Sequence, residues 1–242
     1  MTEFKTVRRN VLTVLLGLGP MYILVIGSHI LRGGAYTLTE LLLYPIIMGS
    51  ATIVWIAFLY KTLAGKDWPR INRKSGRWAR DVIAGVALGA GLFLLLLIER
   101  VTIYRWLPGP PGNPTILTLI RGLVRDPLLL AIWLGPVVWI GVAAFEEFQR
   151  AFMLDLLTDI APKAWHKALI LFLSAGLFGL AHLYQGPAGI AGNSLVAIVL
   201  GIYYLGRGRI GPMIISHALF DSVQILMLVI QIRQAGWSST VS

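Results

Sequence analysis

The chain has 242 residues, of which 57% are hydrophobic and 13% charged, with a formal net charge of +10 and a mean hydropathy of +0.76. Soluble domains carry about 25% charged residues, so water is not the main solvent of this surface. A nucleic-acid binder gathers its Lys and Arg on one aqueous face; here they fall between apolar runs, which excludes nucleic acid as the reason for the charge, and the absence of cysteine excludes disulfides, thiolate metal sites and a thiol nucleophile.

Apolar runs of 18 or more residues read as membrane helices. In chain order they fall near 11–30, 38–60, 81–99, 127–157, 168–185, 191–206 and 212–231. The expected fold is therefore all-α: a polytopic transmembrane bundle of about seven spans. The first run follows Lys5, Arg8 and Arg9, as a signal peptide does, but its length and Pro20 favour an uncleaved span. After the third run, Pro108, Pro110, Pro111 and Pro114 break the chain before 116–124, which predicts an interfacial or re-entrant piece. The fourth run exceeds the hydrocarbon thickness and carries Glu146, Glu147 and Arg150 near its far end, so its last turns belong in protein or water. The fifth and sixth are short and joined by a tight turn at Gln185, Gly186, Pro187, Ala188 and Gly189. The chain divides into membrane helices over 1–126 with a basic loop at 61–80, a catalytic core over 127–231 and a tail at 232–242.

Cytoplasmic loops retain Lys and Arg. Placing the loop that holds Lys61, Lys66, Arg70, Arg73, Lys74, Arg77 and Arg80 inside also places Lys5, Arg8, Arg9, Lys163, Lys167, Arg207 and Arg209 inside. Arg32, Arg100, Arg105, Arg121, Arg125 and Arg233 fall outside, a division of fourteen against six that predicts a cytoplasmic amino terminus. Tyr60, Trp68, Trp78, Tyr104 and Trp106 near span ends fit interfacial belts.

An Asp, Lys or Arg at the centre of a membrane helix costs about 2.5–3.5 kcal/mol on insertion scales, so ionisable groups there are functional candidates. Three clusters stand out. Glu146 and Glu147 are adjacent and point about 100° apart, so one can face a cavity while the other turns to a neighbour, with Arg150 within reach of either. Phe178 and His182 are one turn apart, an aromatic wall beside an imidazole, and His217 and Asp221 share a face in the same way. His29 and His166 lie at span ends or loops and read as ordinary. Singly, each cluster has a structural explanation as a salt bridge, a packed histidine or an interhelical clasp. Together, three spans each supply an acid or imidazole.

In this order on successive helices, the clusters resemble the motifs of the CPBP intramembrane proteases, the family of CAAX prenyl endopeptidases and bacteriocin-processing Abi proteins, over roughly 127–231. Phe178 with His182 and His217 with Asp221 fit the family's F-x-x-x-H and H-x-x-x-N/D patterns. Glu146 and Glu147 fit the paired acids of E-E-x-x-x-R, whereas Arg150 arrives one residue early, a rotation of about 100° on a helix. The run HLYQGPAG resembles a bacterial branch, which implies a bacterial cytoplasmic membrane.

The resemblance implies hydrolysis of a peptide bond in a membrane protein or lipidated peptide, near its carboxyl terminus in the prenyl-processing members. Such chemistry needs an activated water, a group that orients it and donors for the oxyanion. Glu146 is the candidate base, His182 holds the water, and His217 and Asp221 line the oxyanion side, with Glu147 beside them and Arg150 and Phe178 supporting. Glu146, His182, His217 and Asp221 are also suitable ligands for a divalent metal such as zinc, but no H-x-x-x-H pair fixes an ion, which favours glutamate-activated water. A proton- or metal-coupled transporter and a non-catalytic immunity or assembly factor are the rival readings; no inverted repeat supports the transporter.

Overall fold

The computed structural model describes residues 2–32, 36–66, 78–107 and 114–235. Much of the basic loop, including Trp68, Arg70, Arg73, Lys74 and Arg77, lies outside the described residues, as do Pro108, Pro110, Pro111 and the tail from 236. The described chain is helical and contains no β-strand, in keeping with backbone groups that must be satisfied internally where no water is at hand.

Helix α1 runs Thr2–Arg32 and α2 Leu38–Thr62. A reciprocal capping box starts α2, in which the Thr37 side chain accepts from the Glu40 amide and the Glu40 carboxylate accepts from the Thr37 amide. Helix α3, Trp78–Val101, is followed by a single turn, α4, Ile103–Trp106. Helix α5, Pro114–Arg125, is amphipathic and about 18 Å long, too short to cross a bilayer. It packs on α2 and on the end of α10, where the Arg233 guanidinium donates to the Val124 carbonyl at 2.9 and 3.0 Å.

Asp126 caps α6, Pro127–Ile132, and the chain continues through a wide π-helical segment, Trp133–Ala144, into α7, Phe145–Thr158. Gly135, at ψ −109°, breaks the helix one residue before Pro136. Over 32 residues this composite is about 48 Å long, and its far turns are held in protein: Glu147, Gln149, Arg150, Phe152, Leu154 and Leu156 are all buried. Helices α8, Ala164–Ala181, α9, Gly186–Arg207, and α10, Gly211–Ala235, complete the bundle. The turn between α8 and α9 is tighter than its sequence suggests. Gly186 makes the bend at φ 75°, and Pro187, Ala188 and Gly189 already belong to α9, since a proline suits a first helical turn.

Six helical stretches are long and apolar enough to cross a membrane: Leu38–Thr62, Trp78–Trp106, Pro127–Thr158, Ala164–Ala181, Leu183–Arg207 and Gly211–Gln234. They coincide with six of the seven expected spans. The seventh, 11–30, falls on α1, where the side chains of 25, 26 and 28–30, and so of His29, lie outside the described residues. Large apolar side chains such as Leu94, Phe172 and Leu173 point outward, as a surface solvated by lipid requires. The chain is an integral membrane protein.

Small residues let the helices approach, because between membrane helices packing replaces the hydrophobic drive. Helix α10 packs most extensively on α3, and the spacing of four between Gly85 and Gly89 makes the seam. A Cβ at Gly85 would meet Ile215 at 2.6 Å, and one at Gly89 the Ser216 carbonyl at 3.3 Å. Gly141 meets the α2 backbone at Pro45 in the same way, with a would-be Cβ contact of 2.7 Å. Polar clasps close one end: Lys66 bridges Asp155, at 2.8 Å, and Asp159, while the Tyr60 hydroxyl donates to Asp155 and the Asn10 amide to the Leu156 carbonyl. α7 is thus locked against α1 and α2.

Candidate active site

Three helices bring Glu146, Glu147, His182, His217 and Asp221 together. The two glutamates open α7, where the widened turn of the π-helical segment ends. His182 caps the last turn of α8, and His217 and Asp221 lie one turn apart on α10, which the glycine seam with α3 holds in place.

The glutamates diverge as neighbours on a helix must. Glu147 is wholly inaccessible: its carboxylate forms an ion pair with Arg150 one turn on and accepts a hydrogen bond from His217 Nδ1 at 2.6 Å. Glu146 keeps partial access and faces both imidazoles, Oε1 lying 3.9 Å from His182 Nε2 and Oε2 3.5 Å from His217 Nε2. Glu146 Oε2 has no hydrogen-bond partner among the described residues. Asp221 approaches the same His217 nitrogen at 3.6 Å.

Both imidazoles are oriented through Nδ1. A carbonyl or an ionised carboxylate only accepts, so His182 Nδ1 donates to the Phe178 carbonyl at 2.9 Å and His217 Nδ1 to Glu147. Each ring therefore turns Nε2 towards Glu146. Phe178 buttresses the arrangement: its ring lies 4.8 Å from His182, 6.4 Å and edge-on from His217, and 4.5 Å beneath the Arg150 guanidinium, a cation–π contact. Arg150 thus reaches Glu147 by the spacing of three and Phe178 across the helix pair.

Separations of 3.5–3.9 Å are too long for direct hydrogen bonds and suit one water held between the groups. No three His, Asp or Glu side chains among the described residues are grouped as a metal site. His166 stands apart at the start of α8, its ring against Trp165.

Several buried polar groups carry no signal in the spacing of the acids and histidines. Gln149 and Ser174 line a cavity beside Glu146. Glu99, on α3, is buried against Gly192 of α9, where a Cβ would meet its Oε2 at 2.8 Å. It sits beside Arg100 at the end of an apolar run, and only the small residue on the facing helix tells that it points inward.

No curated protein and no solved structure matches the chain. Residues 128–223, which hold all three clusters, match the family model described as type II CAAX prenyl endopeptidase Rce1-like, a family of proteases. Residues 128–223 of this membrane protein are thus similar to an Rce1-like CAAX prenyl endopeptidase domain.

Proposed function

We propose that the chain is an intramembrane endopeptidase that hydrolyses a peptide bond of a membrane-associated protein or lipidated peptide with a glutamate-activated water. The observation that carries this reading is the position of Glu146, which faces two imidazole Nε2 atoms at distances one water bridges, while each imidazole is fixed through its other nitrogen.

In this mechanism Glu146 removes a proton from the water, and His182 Nε2 accepts the second hydrogen and aims the oxygen lone pair at the substrate carbonyl. His217, with both nitrogens protonated, gives one hydrogen to Glu147 and offers Nε2–H to the oxyanion. Asp221 contributes a donor only as the acid, because an ionised carboxylate would repel the developing charge. Collapse of the tetrahedral intermediate breaks the C–N bond, and the proton held by Glu146 passes to the leaving amine. Glu147 and Arg150 act through position, holding His217 and Phe178. The cytoplasmic amino terminus and the bacterial cytoplasmic membrane belong to the same reading.

The test uses the full chain reconstituted in liposomes with a prenylated reporter peptide. Cleavage by the unaltered chain, and its loss in Glu146→Ala with an unchanged unfolding temperature in detergent, is the expected result. Full activity in that variant would remove Glu146 from the mechanism. Proton-coupled uptake without cleavage would establish transport instead.

A further inference from the structure

Beyond His182 the chain carries a polar relay that takes no part in activating the water. Leu183–Gln185 form a single tight turn, in which the Gln185 amide donates to the His182 carbonyl at 2.9 Å, and Gly186 then bends the chain into α9. The Gln185 side chain lies over the first turn of α9, where Gly189 leaves it room: a Cβ at that glycine would run into it.

The donors and acceptors fix the direction of the relay. The Gly189 carbonyl only accepts, so Asn193 turns its N–H₂ that way, at 2.8 Å, and the same nitrogen donates to Gln185 Oε1 at 2.9 Å. Gln185 must then present its own N–H₂ on the other side, where it donates to the Tyr184 hydroxyl at 3.0 Å. The phenol oxygen is the acceptor in that bond. Its hydrogen therefore points away from Gln185 and can be donated elsewhere.

Tyr184 stands beside the catalytic centre. Its ring lies 5.9 Å from the His182 imidazole, and its hydroxyl is close enough to feel the charges of Glu146 and Asp221, which come from α7 and α10. The residue is 43% exposed, so a substrate can reach it. A tetrahedral oxyanion needs donors aimed in advance at the place where its charge develops. Of the two groups assigned to that task, His217 offers one N–H, and Asp221 donates only as the acid. A phenol holds its hydrogen throughout the neutral range and donates unconditionally.

Building on the peptidase reading, we propose that Tyr184 is a further catalytic residue that donates its hydroxyl hydrogen to the substrate oxyanion, and that Gln185 and Asn193 are positioning residues that aim it. The hydrogen stays on the phenol, and the bond strengthens as negative charge builds on the carbonyl oxygen. The relay makes the turn after His182 part of the reaction centre: one end of the turn orients the water, the other the oxyanion.

The test measures kcat and KM separately for the full chain in liposomes with a prenylated reporter peptide. Tyr184→Phe keeps the ring beside His182 and removes only the hydroxyl. Its kcat falls by roughly 100-fold, the lower end of the cost of losing one oxyanion donor, while KM and the unfolding temperature in detergent stay nearly unchanged. Gln185→Leu lowers kcat by a smaller factor, and lowers it no further in the Tyr184→Phe background, because it acts through the hydroxyl. An unchanged kcat in Tyr184→Phe, an effect confined to KM, or losses from the two substitutions that simply add would overturn the assignment and leave the peptidase reading standing. Absence of cleavage by the unaltered chain would overturn both.

Discussion

His217 donates its Nδ1 hydrogen to Glu147 across 2.6 Å, and the accepting carboxylate is wholly buried and ion-paired with Arg150. The two adjacent glutamates thereby divide the work. Glu147 is committed to holding an imidazole and a guanidinium, whereas Glu146 keeps partial access and faces two imidazole Nε2 atoms at 3.5 and 3.9 Å. Positioning and chemistry rest on neighbouring residues of one helix turn.

Substitution separates the two roles. Glu147→Gln leaves Arg150 without its counter-charge in a buried setting, and breaking a buried ion pair costs about 3–5 kcal/mol. A marked fall in unfolding temperature, together with reduced cleavage, is expected. Glu146→Gln removes the base and leaves the buried Glu147–Arg150 pair intact, so cleavage falls by at least about 100-fold, within the range assigned to general-base catalysis, with a much smaller change in unfolding temperature than Glu147→Gln. Thermal unfolding in detergent beside a liposome assay reads both; equal destabilisation by the two changes would contradict the division.

Asp221 stands where the family pattern also admits asparagine, 3.6 Å from His217 Nε2. If its part is to donate to the oxyanion, an amide performs it at every pH, whereas the carboxyl performs it only while protonated. Asp221→Asn therefore retains cleavage and loses the decline that carboxyl deprotonation imposes on the unaltered chain as pH rises. A pH–rate profile of both proteins checks this. Abolished activity in the asparagine variant at all pH values would assign Asp221 an obligatory negative charge.

Much of this was legible in the sequence, for physical reasons that can be named. A bilayer demands apolar runs of fixed length, so six spans announce themselves, and Glu146, His182, His217 and Asp221 show because ionisable groups are costly there. The break at Gly135 and the early end of α8 do not change hydropathy and left no such trace. The Gly85 and Gly89 seam is written in the sequence as a small-xxx-small pattern, hidden inside a run that reads simply as apolar. Gln149 and Glu99 needed coordinates, since what distinguishes them is which helix faces them. The early Arg150 shows why spacing alone misleads: three residues from Glu147 suffices for the ion pair, and its contact with Phe178 depends on how α7 and α8 pack.

Gly179 lies between Phe178 and the imidazole it supports, on the face of α8 that meets α9. A Cβ there would run into Ser194 Oγ and approach the Ile190 carbonyl to 2.5 Å, and a backbone carbonyl cannot rotate away. Gly179→Ala therefore pushes α8 from α9, an overpacking cost of about 1–3 kcal/mol, and displaces His182 from Glu146. Cleavage is expected to fall more steeply than stability. Gly176→Ala is the control, because an added Cβ meets nothing within 4 Å. Matching losses in the two variants would show that the contact with α9 does not set the outcome.

The orientation of the bundle follows from charge and can be tested without disturbing the site, because the chain has no cysteine and single cysteines can be introduced one at a time. With fourteen Lys and Arg on one side and six on the other, the basic loop at 61–80 should face the cytoplasm and the stretch between α3 and α6 the opposite side. A cysteine at Lys74 should resist a membrane-impermeant maleimide in intact cells and react after lysis, whereas one at Arg105 should react in both. The same experiment counts spans. If α1 crosses the bilayer, a cysteine at Thr6 shares the protection of Lys74, because two spans separate them. If α1 lies along the surface instead, a single crossing by α2 separates Thr6 from Lys74, and the two positions label oppositely. Labelling of Lys74 in intact cells would reverse the whole orientation, and with it the side from which a lipidated peptide reaches Glu146.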